Sequence, residues 1–383
     1  MRKLILLGAS GNIGEQTLTI LKKNRELSLV AFSVGEQTNK IKTILKAHPS
    51  VEAICVKHHN DKLFKQFPKI KFYVGNSGLV KLIKETKADI VLNALVGFVG
   101  LAPTLAAIKN DMDVALANKE SLVVGGELIH KALRHAKSKI YPVDSEHSAI
   151  YKCFQKCKKR NVKEIFITAS GGAFRHLTRD ELKKVTPSQA LKHPTWKMGD
   201  KVTIDSASML NKGFEIIEAY YLFNFPLHKI KVLMHDESYV HSILHLKDGS
   251  YLGEVNPPSM LNPIAYALSD HKKIENIKHV KSLKEFGSYH FHEFDKKRYP
   301  MVSYAIKALL MKGTMPCVLN AVDEVAVDLF LKKMISFLDI ERIVALALDT
   351  FKNYKHPNLK TLIQVDHEAR QWAKSAALLR GSL

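Results

Sequence analysis

Six short apolar runs follow one another through the first part of this chain: LILLG (4–8), LVAFSV (29–34), AICV (53–56), DIVLNAL (89–95), DVALA (113–117) and IYPVD (140–144). Amphipathic segments of helix length separate them. A strand covered on both faces reads as a continuous apolar run, so this alternation predicts an α/β fold whose first domain is a Rossmann-like, doubly wound parallel sheet. Ligands of such sheets bind at the carboxyl ends of the strands. The opening MRKLILLGA briefly resembles a secretion leader, but its apolar core is short and runs straight into a glycine turn, so it reads as the first strand.

That strand leads into GASGNIG at residues 8–14, which opens the helical pattern containing Glu15 to Lys22. Gly8 permits a tight turn, Gly11 lets backbone amides approach a pyrophosphate, and Gly14 allows close helix packing. The helix N-terminus favours the negative charge. In this setting the pattern points to a dinucleotide, with a purely structural glycine turn as the alternative. The end of the second strand discriminates NAD from NADP, because an acidic residue there bonds the ribose diol. It reads Ser33, Val34, Gly35, then Glu36, Gln37, Thr38 and Asn39. The hydroxyl groups suit a phosphate and Glu36 does not, so the residues alone leave the choice open.

Two distant stretches carry the chemistry. PVDSEHSAI (142–150) ends the last of the strands, and in extended chain Asp144 and Glu146 point to the same side. DSASMLNKGFE (205–215) enters a helix read over Ser206–Phe223, on which Asn211 and Glu215 share a face at i and i+4. Asp144, Glu146 and Glu215 suit a hard divalent ion, while Ser206, Asn211 and Lys212 supply donors for a phosphate. Taken singly, the first stretch reads equally as a surface turn and the second as a solvated helix face. At the preceding strand end, Asn118, Lys119 and Glu120 leave the sheet where a nicotinamide ribose and a substrate would meet. Lys119 can neutralise an anion or polarise a hydroxyl, and helix capping is the alternative role for Asn118.

From about residue 150 the pattern changes. EIFITAS (164–170) leads into Gly171 and Gly172, and TPSQALKHPTWKMGD (186–200) is a long loop carrying His193 and Trp196. Such a loop suits closure over a ligand, with a packed surface excursion as the alternative. Val318, Val322, Val325, Leu329 and Phe330, then Leu338, Ile343, Val344 and Leu348, repeat with helical spacing and predict a small bundle. In YHFHEF (289–294) His290 and His292 alternate as in an extended segment, with no third metal ligand nearby in sequence.

At 383 residues the chain exceeds one ordinary core, so two or three domains are expected. No apolar run is long enough to span a membrane. Cys55, Cys153, Cys157 and Cys317 are too few and scattered for a disulfide framework, which points to a reducing, cytoplasmic compartment. The net charge of +21 is spread over lysines along helical faces, among them Lys22, Lys23, Lys183, Lys184, Lys272 and Lys273, without interleaved aromatics. It reads as a solvated surface that attracts anionic substrates, not as a nucleic-acid footprint.

GASGNIG, LANKESLV, PVDSEHSAI, TASGG, HPTW, DSASMLNKGFEIIEA and LNAVDEVAV occur in this order. Together they resemble the 1-deoxy-D-xylulose 5-phosphate reductoisomerase family over nearly the whole chain. DSEH combined with NKGxE is specific; the glycine turn is shared with many dehydrogenases. The resemblance implies an NADPH-dependent oxidoreductase with isomerase activity in the non-mevalonate (MEP) route of isoprenoid biosynthesis. Its substrate would be a small phosphorylated sugar, 1-deoxy-D-xylulose 5-phosphate, rearranged and reduced to 2-C-methyl-D-erythritol 4-phosphate. It also implies a homodimer, with no nucleic-acid or membrane partner. The implied domains are 1–144 for NADPH, 145–270 for catalysis and dimerisation with a flap at 186–200, a linker at 271–296 and a helical bundle at 297–383.

Carried over by position, the metal ligands are Asp144, Glu146 and Glu215, an all-oxygen set suited to Mg2+ or Mn2+. Such an ion, chelated by the substrate's carbonyl and hydroxyl oxygens, acts as Lewis acid and template. Ser170, His193, Ser206, Asn211 and Lys212 then contact the phosphate and backbone hydroxyls, and Lys119 and Ser145 line the reacting end. Trp196 and Met198 cover the substrate, and Met260 joins this set. The implied cofactor contacts are Ser10, Gly11, Asn12, Ile13, Gly35, Asn118, Glu120 and Gly199. The family commonly has Gly, Lys or Arg, then Asn after the second strand, whereas Gly35 is followed here by Glu36 and Gln37, leaving Asn39 to serve after a local shift. Ala173, Ser259, Val322 and Asp323 also depart from the family pattern, and are expected to leave the chemistry untouched. A metal-free dehydrogenase would leave DSE and NKGFE unexplained, and a nucleic-acid binder rests on charge alone.

Overall fold

The computed structural model describes residues 1–269 and 287–378. Lys272, Lys273 and the 271–286 part of the linker read at 271–296 lie outside the described residues, as do residues 379–383. Two compact units are formed, the first from Met1–Ser121, Glu127–Ser148 and a returning stretch that begins at Ser259. Its seven strands are β1 (Arg2–Leu7), β2 (Leu27–Val34), β3 (Ala53–Val56), β4 (Lys71–Val74), β5 (Ile90–Asn93), β6 (Asp113–Leu116) and β7 (Ile140–Pro142). They pair in parallel in the order β4-β3-β2-β1-β5-β6-β7. Six of them coincide with the six apolar runs, and Leu4 to Leu7, Phe32, Ile54 and Leu92 are buried as the pattern requires. β4 escapes that pattern because it is an edge strand with Lys71 exposed and only Tyr73 buried. The order reverses at β1, so the crevice for a ligand opens past its carboxyl end.

The helix Leu261–Leu268 belongs to this first unit and packs on the helix Asn12–Leu21, with Arg2 Nη1 donating to the Leu268 carbonyl at 3.4 Å.

The second unit comprises Leu122–Gly126, Ala149–Pro258 and the described residues from Gly287. Its sheet is built from β8 (Val162–Ala169), β9 (Ile230–Met234), β10 (Val240–Leu246), β11 (Tyr251–Val255) and β12 (His292–Glu293), in the order β11-β10-β8-β9-β12. Ile165, Ile167, Ile216, Ala219, Leu244 and Val302 join the sheet to the helices in one core. The expected C-terminal helices are Pro300–Met311, Met315–Leu331, Phe337–Thr350 and Leu359–Leu378, with Val318, Val322, Ile343 and Val344 wholly buried. Among the described residues no helix is long and apolar enough to cross a membrane.

The helix read over Ser206–Phe223 is in fact two, Asp200–Ser208 and Leu210–Phe223, separated by Met209 in the left-handed region at φ 64°. Ser208 Oγ accepts from the Leu210 amide at 3.3 Å. That local bond competes with the helical pattern and supports the break. Gly213 then fixes how closely the second helix approaches its neighbour. A Cβ on it would stand 2.6 Å from Ala305 Cβ on Pro300–Met311, so only glycine permits this packing.

Candidate active site

In the first unit the glycine turn is shaped by close approach. Gly8 has φ +82°, and a Cβ there would stand 2.6 Å from the Ala94 carbonyl oxygen, while one on Gly14 would lie 2.3 Å from the Gly8 oxygen. The Gly8 amide donates to Ser33 Oγ at 2.9 Å and the Ala9 amide to the Ser33 carbonyl at 2.8 Å, tying the turn to β2. No side chain caps the helix Asn12–Leu21, so its anion-favouring end, with Ser10, Gly11, Asn12 and Ile13, faces the ligand side of the turn. A Cβ at Gly11 would meet only the Gly8 oxygen at 3.5 Å, and one at exposed Gly35 would meet nothing within 4 Å. This open margin fits a dinucleotide. Asn39 lies in the turn Thr38–Lys40 beyond β2.

Asn118 does the capping that its position offered as an alternative. Its Oδ1 accepts from the Ser121 amide at 3.0 Å, and its Nδ2 donates to the carbonyls of Leu95 and Gly97 and to Glu120 Oε2, each at 3.0 Å. The side chain is committed to the loop after β5, and Glu120 is buried with it.

The DSE triplet is not extended. Ser145 opens the helix Ser145–Phe154, and Asp144 Oδ1 accepts from the Glu146 amide at 3.2 Å. A carboxylate before an orphan helix amide is a natural cap, which is why the chain turns there instead of staying extended. Asp144 and Glu146 nonetheless each bring a carboxylate oxygen within 4.8 Å of the other, so the two acids converge as expected. Lys119 Nζ donates to Asp144 Oδ2 at 2.5 Å, and His147 Nδ1 lies 2.9 Å from Oδ1. Burial pushes the Asp144 carboxyl up, but the Lys119 ammonium and the His147 ring outweigh it and hold the group well below the usual range. Ser145 Oγ donates to Glu146 Oε2 at 2.6 Å.

In the second unit the face read on Leu210–Phe223 is realised. Glu215, 1% exposed, accepts from Asn211 Nδ2 and from Lys212 Nζ, each at 2.5 Å. Ser206 lies on the preceding helix, with Oγ donating to the Val202 carbonyl at 2.9 Å. Gly172 (φ +67°) packs against it so tightly that a Cβ would fall 2.5 Å from the Ser206 oxygen. The turn after β8 thus holds Ser170, whose Oγ lies 3.4 Å from His193 Nε2. Trp196 packs 6.1 Å from the His241 ring, Met198 is half-buried and Gly199 precedes Asp200–Ser208. The loop is not structureless, since Pro187–Ala190 forms a helical turn closed by a Thr186–Gln189 capping box. Met260 immediately precedes the helix Leu261–Leu268 in the first unit.

His193 is fixed in one tautomer. The amides of Thr195 and Trp196 donate to Nδ1 at 3.2 and 3.0 Å, so the ring proton resides on Nε2, toward Ser170. Burial, then the charges of Arg175 and Lys212, push its pKa from 6.5 down to about 4. A depressed histidine pKa favours the neutral folded form, so its stabilisation is intact above about 6.5 and drains away as pH falls toward 4. Urea midpoints measured across that window should fall with pH, and His193→Asn should flatten the slope. An unchanged slope would show that the ring is not held neutral.

One cluster was not anticipated. Lys201 Nζ pairs with buried Asp205 and lies 3.0 Å from Asp323 Oδ2, which is wholly buried. Burial raises the Asp323 pKa despite the lysine. The i,i+4 pair was visible in sequence, whereas its long-range partner had no local signal. His290 Nδ1 lies 2.6 Å from Glu237 Oε1 and His292 pairs with Met234 in the sheet.

Three family models match: 1-deoxy-D-xylulose 5-phosphate reductoisomerase over residues 4–126, its C-terminal domain over 140–223, and the DXP reductoisomerase C-terminal domain over 255–372. A 1-deoxy-D-xylulose 5-phosphate reductoisomerase of Listeria innocua serovar 6a is 42% identical over 380 residues, covering 98% of this chain and all of its own. One from an Exiguobacterium species is 43% identical over 378 residues, covering 97% of each. Among solved structures, a DOX-P reductoisomerase in complex with NADPH, fosmidomycin and magnesium has a TM-score of 0.93 at 31% identity. The Zymomonas mobilis enzyme in complex with NADPH has a TM-score of 0.90 at 35% identity, and both cover the whole of each chain.

Proposed function

The chain belongs to the 1-deoxy-D-xylulose 5-phosphate reductoisomerase family, and from that premise we propose how its own residues divide the work. The enzyme converts 1-deoxy-D-xylulose 5-phosphate to 2-C-methyl-D-erythritol 4-phosphate by skeletal rearrangement and reduction, using NADPH and a divalent metal ion, in the MEP pathway. One observation carries the assignment of roles. Each unit holds a carboxylate beside a lysine ammonium, partly buried Asp144 with Lys119 and buried Glu215 with Lys212.

Asp144, Glu146 and Glu215 are the ligands of Mg2+ or Mn2+. Hard carboxylate oxygens suit these ions, and the charge on Lys119 keeps Asp144 ionised for that purpose. When bound, the ion supplies Lewis-acid stabilisation of charge developing on the substrate's oxygens. Lys212 and Asn211 donate to the phosphate, joined by the Ser170 and Ser206 hydroxyls and by His193 Nε2–H. A neutral imidazole with a fixed Nε2 proton is a donor at any pH near neutrality. Lys119 and Ser145 orient the reacting end, while Trp196, Met198 and Met260 exclude water over it.

Ser10, Gly11, Asn12 and Ile13 hold the pyrophosphate of NADPH, Gly35 and Asn39 border its adenosine ribose, and Asn118, Glu120 and Gly199 border the nicotinamide end. Because the Asn118 side chain is committed internally, its contact is through the main chain. The working division is 1–144 for NADPH, 145–270 for catalysis and dimerisation with the flap 186–200, a linker at 271–296 and a helical domain from 297. The enzyme works as a cytoplasmic homodimer. The test follows NADPH absorbance with 1-deoxy-D-xylulose 5-phosphate. Turnover is expected, to vanish in EDTA and to return with added Mg2+ or Mn2+; turnover that persists in EDTA would remove the metal roles.

A further inference from the structure

The residue after β2 that usually settles cofactor choice is the one at which this chain departs from its family. Glu36 stands where a basic side chain is common, and an acid there ordinarily takes the ribose diol and repels a 2′-phosphate. Glu36 does not stand alone. Lys57 Nζ donates to its Oε1 at 2.7 Å, and His58 Nε2 lies 3.5 Å from the same oxygen. The fold explains the meeting. β2 and β3 pair in parallel with Val34 opposite Val56, so the residues just past the two strand ends lie side by side on the ligand edge of the sheet. The hydrogen bond and charge of Lys57 hold the Glu36 carboxyl below the usual range. A further ammonium faces the glycine turn, where Lys40 Nζ donates to the Ser10 carbonyl at 3.1 Å.

We propose that Lys57, assisted by His58, is the specificity determinant for the 2′-phosphate of NADPH, supplying from the third strand the cation that the second strand lacks. Without a ligand, Glu36 is the partner of Lys57 and competes with a phosphate for it. An ammonium has three donors, so Lys57 can keep its bond to Glu36 while donating to a phosphate oxygen. A phosphate offers more charge and more acceptors than a carboxylate, and so competes well for that cation. Lys57 is 58% exposed and Glu36 66% exposed, so both can turn toward a ligand and neither is needed for the core.

This inference rests on the reductoisomerase reading, and binding measurements separate the two. Calorimetric titration of the protein with NADPH and with NADH, without substrate or metal, is the readout. Lys57→Gln should weaken NADPH by about tenfold or more, since it removes a charge-assisted contact and leaves Glu36 facing the phosphate, and should leave NADH within about twofold. Glu36→Gln should leave NADPH as tight or tighter. Equal weakening of both dinucleotides by Lys57→Gln, or unchanged NADPH binding, would overturn the assignment, as would loss of NADPH affinity in Glu36→Gln. If the unaltered enzyme turns over its substrate with NADPH but Lys57→Gln keeps the NADPH preference, only this inference falls. If there is no turnover, the reading beneath it fails.

Discussion

Glu215→Gln should lower kcat by about three orders of magnitude or more, while the Kd for NADPH stays within about twofold. The substitution keeps volume and an acceptor for Asn211, so the helix face survives. What disappears is one negative charge from a carboxylate that is 1% exposed and assigned to the metal. Steady-state turnover with saturating Mg2+, paired with NADPH titration, checks the split. Full activity in this variant would remove Glu215 from the ligand set.

Lys212→Met should cost about 3–5 kcal/mol of stability, because it strips a buried acid of its 2.5 Å partner. The same change should raise KM, since the donor assigned to the phosphate is lost. A second cation can compensate for the first. Thermal unfolding of the variant should therefore recover part of the loss when Mg2+ or Mn2+ is added and lose it again in EDTA, with a larger metal response than the unaltered enzyme shows. A melting temperature indifferent to both the mutation and the ion would mean that Glu215 is protonated or otherwise satisfied.

The sheet was legible because apolar runs buried on both faces need no tertiary context to be recognised. β4 was not, since an edge strand with exposed Lys71 carries too little of that pattern. The site was legible as residue types and not as local geometry. Asn211 and Glu215 met as an i,i+4 pair must. Asp144 and Glu146 did not keep the extended spacing, because the aspartate side chain caps the helix that begins at Ser145. The break at Met209 has no glycine to announce it, and Asp323 reaches Lys201 only once the helices have packed. The glycine of NKGFE has no side chain to announce a role. It sets the clearance against Ala305 that seats the helix carrying the other four residues.

The two main-chain amides that grip the imidazole of His193 come from its own loop, at Thr195 and Trp196. Ring and main chain therefore move together, and the backbone that carries the indole cannot shift without turning the imidazole. A single isotope label on that histidine would act as a built-in protractor, reporting every excursion of the strap through the chemical shift of one nitrogen.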